Sequence, residues 1–164
     1  MSKKGFIKPV IFLLLFAFYS FVSNAQTMPA FKMKLSTGKV FSSSEISHKK
    51  PVVLIYFAPD CEHCQVLMKK VFSQINHFKN TEMIMVTFEP LQVLPGFEKQ
   101  FQTSKYPNIK VGSEAPVFFF QKYYQLQHTP FTALFDKNGK LIVSYKDYTP
   151  VDDLIKKLKG MEKK

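Results

Sequence analysis

An unbroken apolar run at residues 52–57 constrains the fold of this chain more than any other feature of its sequence. The run follows Pro51 and is rich in β-branched residues, a pattern typical of a strand that is covered on both faces. We therefore expect this strand in the middle of a sheet. Residues 58–60 end the strand, and from Cys61 onward apolar residues recur at helical spacing. The sequence thus predicts a buried strand followed at once by a helix that begins at the first cysteine.

Strands and helices are also predicted along the rest of the chain. The predicted elements are a hairpin at residues 31–41 that turns at Thr37 and Gly38, a strand at 82–88 ended by Pro90, short helices at 97–103 and 117–126, a hairpin of strands 131–135 and 141–145 that turns at Asn138 and Gly139, and a terminal helix from Thr149 to a stop at Gly160. This order predicts an α/β domain in which one parallel crossover links the strands at 52–57 and 82–88.

The first 25 residues have the pattern of a secretory signal peptide. Lysines precede an apolar stretch at residues 10–22, and small residues lead to Ala25, the expected cleavage point. The stretch is shorter than the roughly 20 residues that span a bilayer, so we expect no stable membrane span after cleavage; a retained anchor is the alternative. Residues 26–164 suffice for one domain. We expect export to the periplasm, where disulfides persist.

The charge of the chain comes from a single basic residue type. All 23 basic residues are lysine, against 12 acidic residues, which gives a formal net charge of +11. Lysine lacks the planar guanidinium that contacts phosphate or guanine through two hydrogen bonds. No lysine-rich run lies beside a pattern of exposed aromatic residues. We therefore expect no nucleic-acid binding and interpret the lysines as a solvated surface.

Cys61 and Cys64 are the only cysteines in the chain, and they enclose Glu62 and His63. This spacing brings the two sulfurs within reach of each other across one helical turn. At the helix start, Cys61 faces free backbone N–H groups and the positive end of the helix dipole, which stabilise a thiolate. We predict that Cys61 is the nucleophile and Cys64 the resolving thiol. His63 favours the thiolate when protonated, whereas Glu62 opposes it.

Other uses of two cysteines at this spacing are less well supported. A structural disulfide would close a very small loop and stabilise little. The zinc-finger pattern fails because no second histidine follows His77 at the required distance, and Gln65 stands where haem attachment needs a histidine. Binding of copper or another thiophilic metal by the two thiols and one histidine is the alternative function. His48, His77 and His128 are interpreted as solvent or packing residues.

Together these residues resemble the thioredoxin-fold proteins of the TlpA/ResA type, which are exported thiol–disulfide oxidoreductases of the redoxin group. The resemblance covers nearly all of residues 26–164. It is carried by the opening hairpin with Gly38 and Lys39, the approach from Lys50 and Pro51 through Ala58, Pro59 and Asp60 to Cys61, and Thr129 and Pro130 with Asp136 and Gly139 beyond them. It implies a thioredoxin-like fold, with a central mixed sheet flanked by helices, an N-terminal hairpin and a central insertion between Cys64 and Pro130.

The resemblance also implies how the protein works. It implies a cis peptide bond between Thr129 and Pro130 that lies against the Cys61 sulfur, so that the Thr129 backbone pairs with an extended substrate segment. The implied partners are protein thiol or disulfide substrates and an upstream redox partner, and no cofactor is required. We expect a monomer that acts as a reductase rather than an oxidase.

The sequence departs from the family at several positions. Asp60 stands where a tryptophan usually precedes the first cysteine, so substrate contacts there differ. Ile55 replaces the buried aspartate of thioredoxin, which leaves Glu62 or a water molecule as the candidate proton acceptor for Cys64. The proline and threonine of the peroxiredoxin signature are missing ahead of Cys61, so we expect no direct peroxide reduction.

Overall fold

The computed structural model of the protein describes residues 26–162. The predicted signal peptide at residues 1–25, with its cleavage point after Ala25, lies outside the described residues. No helix within the described range is long and apolar enough to cross a membrane.

The described residues form one seven-stranded mixed sheet with four α-helices. The strands are β1 (Lys32–Leu35), β2 (Val40–Ser42), β3 (Val52–Phe57), β4 (Glu82–Thr87), β5 (Ile109–Ser113), β6 (Phe131–Phe135) and β7 (Leu141–Lys146), and the helices are α1 (Glu62–Ser73), α2 (Leu94–Phe101), α3 (Phe119–Tyr124) and α4 (Val151–Glu162). The strand order is β2-β1-β5-β4-β3-β6-β7. Strands β3, β4 and β5 are parallel, and the other neighbours are antiparallel. The predicted mixed sheet and both predicted hairpins are confirmed.

Strand β3 is fully buried, as predicted, but it is not the middle strand. All six of its residues are buried, and it pairs with β4 on one side and β6 on the other. The middle position among the seven described strands belongs to β4. The prediction is wrong by one position because an additional strand, β5, joins the sheet beyond β4.

Strand β5 has no counterpart in the sequence prediction. Lys110 and Gly112 interrupt its apolar pattern, so that it does not have the unbroken run seen in β3. It pairs in parallel with β4, and the chain therefore makes two parallel crossovers rather than one. Gly112 allows β1 to approach closely, since a β-carbon there would lie 2.7 Å from the sulfur of Met33.

Helices α2 and α3 begin and end at residues other than those predicted. Helix α2 begins at Leu94 rather than at residue 97, because Pro95 is well suited to the first turn of a helix. It ends before Gln102, whose φ of 50° is left-handed. Helix α3 is shorter than the predicted 117–126, since the residues at its two ends, Phe118 and Gln125, are also left-handed.

Helix α4 continues through the predicted stop at Gly160 to Glu162. A glycine ends a helix by adopting a left-handed conformation. The glycines with positive φ are those of the two hairpin turns, Gly38 at 83° and Gly139 at 77°, and Gly160 is not among them. The predicted turns are therefore confirmed, while the predicted helix stop is wrong.

The side chains of β3 alternate between two apolar cores, because successive residues of a strand point to opposite faces of the sheet. Ile55 and Phe57 belong to one core, together with Cys64 and the buried sides of α1, α2 and α4. Leu54 and Tyr56 belong to the other core, with α3 and the β1–β2 hairpin. The carboxyl end of β3 thus lies between two different environments, and helix α1 begins there.

Candidate active site

The two cysteines lie where β3 leads into α1. Cys61 is the residue that caps the helix, with an extended backbone, and Cys64 lies in the first turn. The amide of Cys64 donates a hydrogen bond to the Cys61 sulfur over 3.4 Å, so the sulfur satisfies one of the free N–H groups at the helix start. Both cysteines are free thiols.

The two thiols differ in burial and in acidity. Cys64 is 1% exposed, and burial, assisted by its hydrogen bond with Cys61, raises its pKa to about 12. Burial also raises the pKa of Cys61, but hydrogen bonds from the thiol and the amide of Cys64 outweigh that effect and place this pKa below its ordinary value. Cys61 is therefore the thiol that loses its proton first.

The Gln65 side chain links the loop before α1 to helix α2 through two hydrogen bonds. Its side-chain amide donates to the carbonyl of Pro59 over 2.6 Å, and its side-chain oxygen accepts a hydrogen bond of 2.8 Å from Gln100 of α2. The Cys61 backbone is thereby held between β3, α1 and α2.

The segment before β6 lies beside Cys61. The Thr129–Pro130 peptide bond is cis, as predicted, and the Cys61 thiol donates to the Thr129 carbonyl over 3.6 Å. Strand β6 pairs antiparallel with β3, with Phe131 opposite Tyr56, and this pairing brings the start of β6 to the end of β3. A second cis bond, which the sequence analysis did not predict, joins Ala115 and Pro116.

A cavity of about 610 Å³ opens beside Cys61. Its lining includes Thr129 and two aromatic side chains, Tyr56 and Phe88. His63 also lines it, as expected from its place between the cysteines. Cys61 therefore lines a space large enough for a side chain of another molecule.

His128 is exposed to solvent, in agreement with its interpretation as a solvent or packing residue, and it also lines this cavity. Its position directly before Thr129 was the signal that could have placed it beside Cys61. His48 and His77 are exposed, and neither lines the cavity. Within residues 26–162, no group of three or more His, Cys, Asp or Glu side chains is arranged to hold a metal ion.

Glu62 and the buried thiol of Cys64 differ in their exposure to solvent. Glu62 is exposed on the first turn of α1, whereas Cys64 is buried in the same core as Ile55. Glu62 therefore does not supply a buried acid at Cys64. Asp60, in the position of the expected tryptophan, is exposed.

A buried carboxyl group lies behind the cavity and was missed by the sequence analysis. Glu114 is 3% exposed, and its two oxygens accept hydrogen bonds from the Tyr56 hydroxyl (2.7 Å) and the Phe120 amide (3.0 Å). Burial raises the pKa of Glu114, although these hydrogen bonds oppose the change. Since Tyr56 lines the cavity and Phe120 belongs to α3, Glu114 connects the cavity wall to that helix. An isolated glutamate in a predicted loop gives no sequence signal for this role.

Comparison with known proteins gives a family and a set of similar folds. The model of the thioredoxin-like domain family matches residues 43–162. None of the curated proteins compared with the chain matches it. The secreted disulfide oxidoreductase of Mycobacterium tuberculosis homologous to E. coli DsbE has a TM-score of 0.65 and 13% identity, covering 79% of this chain and 95% of that one.

Two further solved structures have the same fold. The thiol peroxidase of Chromobacterium violaceum has a TM-score of 0.71 and 17% identity, covering 88% of this chain and 90% of that one. The exposed lipoprotein thioredoxin of Streptococcus pneumoniae has a TM-score of 0.60 and 20% identity, covering 80% of this chain and 99% of that one. At these identities the likeness shows the fold alone.

Proposed function

Because the chain belongs to the thioredoxin-like family, we propose that it is a thiol–disulfide oxidoreductase that exchanges disulfides with protein partners through Cys61 and Cys64. The observation that carries this proposal is the asymmetry of the two thiols. Cys61 is partly exposed beside a cavity and has a lowered pKa, whereas Cys64 is buried and has a raised pKa. An attacking thiol must be accessible and readily form a thiolate, whereas a resolving thiol can stay buried and protonated until the mixed disulfide has formed.

The exchange takes place in two steps. The Cys61 thiolate attacks one sulfur of a substrate disulfide, that disulfide breaks, and the departing sulfur leaves as a thiolate that takes up a proton. Cys64 then loses its proton and attacks the Cys61 sulfur of the mixed disulfide. The second substrate thiol is released, and two electrons have passed from the protein to the substrate. A Cys61–Cys64 disulfide remains, which an upstream dithiol must reduce.

The Thr129 backbone is the proposed contact for the substrate chain. Its carbonyl lies 3.6 Å from the Cys61 sulfur, so a peptide that pairs with this segment brings its own sulfur close to Cys61. His63 and His128 line the same cavity and carry positive charge when protonated. Either charge favours the thiolate form of the attacking cysteine.

We place the activity outside the cytoplasm, in the periplasm, and in the direction of disulfide reduction. The signal-peptide pattern at residues 1–25 supports export. Two proteins of similar fold are described as secreted and as an exposed lipoprotein. The direction rests on the sequence resemblance and is tested by the reduction potential. A value near that of thioredoxin, about −270 mV, supports a reductase, and one near about −120 mV would contradict it.

Single-cysteine variants test the function itself. We expect Cys61→Ser to lower exchange with a disulfide-linked peptide to the uncatalysed background. We expect Cys64→Ser to accumulate mixed disulfides through Cys61, because the resolving thiol is gone. Mass spectrometry of trapped species under non-reducing conditions measures both effects. Trapping by Cys61→Ser and none by Cys64→Ser would contradict the assigned roles.

A further inference from the structure

Three aromatic rings connect the interior of the active-site cavity to the protein surface. The rings of Tyr56 and Phe88 lie 5.7 Å apart between their centroids, and those of Phe88 and Phe118 lie 6.4 Å apart. Tyr56 is 1% exposed, whereas Phe118 is 36% exposed. We call these three residues the aromatic ladder. Two of its members, Tyr56 and Phe88, line the same cavity as Cys61.

The outer end of the aromatic ladder leaves apolar surface in contact with water. Val117, next to Phe118 in the chain, is 61% exposed. Exposed apolar surface that continues into a cavity marks a place where another molecule is bound. Cys61 lines the same cavity as Tyr56 and Phe88, so a molecule that fills this cavity contacts both the thiol and the two inner rings of the aromatic ladder.

The segment that carries Phe118 is fixed in position before any partner arrives. The Glu114 carbonyl accepts a hydrogen bond of 2.9 Å from the Val117 amide, and the Glu114 side chain accepts one of 3.0 Å from the Phe120 amide. Phe118 lies between these two anchored residues and has a left-handed φ of 53°. A bulky residue rarely adopts that conformation, so the contacts of the segment must hold the Phe118 backbone in it. A preorganised surface loses little entropy on binding.

The cavity lining also contains polar residues. Gln121, Gln127 and His128 are among them, together with Thr129, whose carbonyl lies 3.6 Å from the Cys61 sulfur. A cavity lined by both amide side chains and aromatic rings suits an extended polypeptide. The backbone of such a segment meets the polar groups, while one of its apolar side chains meets the rings.

We propose that the aromatic ladder and Val117 form a specificity site for a large apolar side chain, such as phenylalanine, two positions from the reacting cysteine of an extended substrate segment. This inference rests on the proposed function and names its substrate class. In an extended chain, side chains two positions apart lie on the same side, and their α-carbons are about 7 Å apart. A side chain at that position therefore faces the cavity while the sulfurs react.

A set of matched peptides tests this site. Each peptide has one cysteine in a disulfide with a small thiol, and the residue two positions before or after that cysteine is either phenylalanine or serine. We expect the reduced protein to react about tenfold faster with the phenylalanine peptide in at least one of the two positions, since a phenyl group is buried in the transition state. Stopped-flow measurement gives the rate constant for each peptide.

Variants of the aromatic ladder should reduce this preference. Phe118→Ala keeps a β-carbon, so the left-handed backbone is equally unfavourable in both proteins, and we expect the ratio of the two rates to fall toward one. Val117→Ser changes a more exposed side chain without risk to the core, and we expect a fall of about twofold. Val40→Ala is the control, because Val40 is 51% exposed on the distant edge strand β2, and we expect its ratio to equal that of the unmodified protein.

Equal rates for both peptides with the unmodified protein would overturn the specificity site and leave the proposed function intact. A preference that Phe118→Ala and Val117→Ser both retain would also overturn it. No reaction with any peptide would overturn the proposed function and this site together. A further result would also overturn the proposal. If the protein dimerises, Phe118→Ala abolishes the dimer and both peptides react at equal rates, the surface binds a second copy of the chain.

Discussion

The two faces of the sheet beside Cys61 differ in the ionisable groups that they bury. On one face, Cys64 shares an apolar core with Ile55, and its thiol has a pKa of about 12. On the other face, Glu114 is buried with both carboxyl oxygens hydrogen-bonded, to Tyr56 and to Phe120. Glu114 is the buried acid among residues 26–162, and it lies on the face away from Cys64.

This difference separates two tasks within the site. On the face with Ile55, burial keeps the Cys64 thiol protonated, because desolvation disfavours its thiolate. On the other face, the Glu114 carboxyl group holds Tyr56 and the start of α3 in place. The buried acid therefore shapes the cavity wall and does not lie beside Cys64.

Placing a carboxyl group on the face that contains Ile55 and Cys64 should have the largest effect. Ile55 is fully buried, so Ile55→Asp puts a charge in an apolar core, and we expect the free energy of unfolding at neutral pH to fall by about 3 kcal/mol or more. The new carboxylate can accept the Cys64 proton, and we therefore also expect mixed disulfides to resolve faster. Denaturant unfolding and the lifetime of a mixed disulfide measure the two effects.

Ile55→Val is the matched control for this change. It removes one methylene group and should cost roughly 0.5 to 1.5 kcal/mol without altering mixed-disulfide lifetime. If Ile55→Asp were as stable as Ile55→Val and resolved mixed disulfides at the same rate, the contrast between the two faces would be wrong.

Removing the Glu114 carboxyl group from the other face should have a smaller effect. Glu114→Ala leaves the Tyr56 hydroxyl and the Phe120 amide without their partner, and we expect a loss of about 2 to 4 kcal/mol in the free energy of unfolding. Glu114→Gln is the control, since its amide group can bond both partners, and it should cost less than about 1 kcal/mol. Equal stability of the alanine and glutamine variants would contradict the assigned role of Glu114.

The smallest expected effect is a pH dependence of stability that comes from Glu114. Burial raises the pKa of Glu114 in the folded protein above its ordinary value of 4.5. Between these two pKa values the folded state binds more protons than the unfolded state, so stability falls as pH rises through that window and then levels off. We expect the unfolding free energy of the unmodified protein, measured from pH 4 upward, to fall relative to that of Glu114→Gln. Parallel curves would show that Glu114 titrates normally.

Much of this arrangement follows from local patterns that the sequence displays. The run at residues 52–57 predicts β3 because a strand buried on both faces is apolar throughout. The hairpin turns follow from Gly38 and Gly139, which have the positive φ that such turns need. Cys61 caps α1 at the predicted residue. In each case the determining interactions lie within a few residues of one another.

The parts that were not predicted depend on contacts between distant segments. Strand β5 contains a lysine and a glycine, and its pairing with β4 and close approach to β1 make it a strand. Glu114 interacts with Tyr56, which is 58 positions away in the chain. His128 reaches the cavity because β6 pairs with β3. Local periodicity carries no information about such pairings.

The asymmetry of the two thiols is tested most directly by titrating each of them. Carbon-13 chemical shifts of the two cysteine β-carbons, followed with pH in the reduced protein, report the two deprotonations separately. We expect Cys61 to lose its proton first, below the ordinary thiol value of 9.0, and Cys64 to remain protonated until about 12. Deprotonation of both thiols together near 9.0, or of Cys64 before Cys61, would contradict the account.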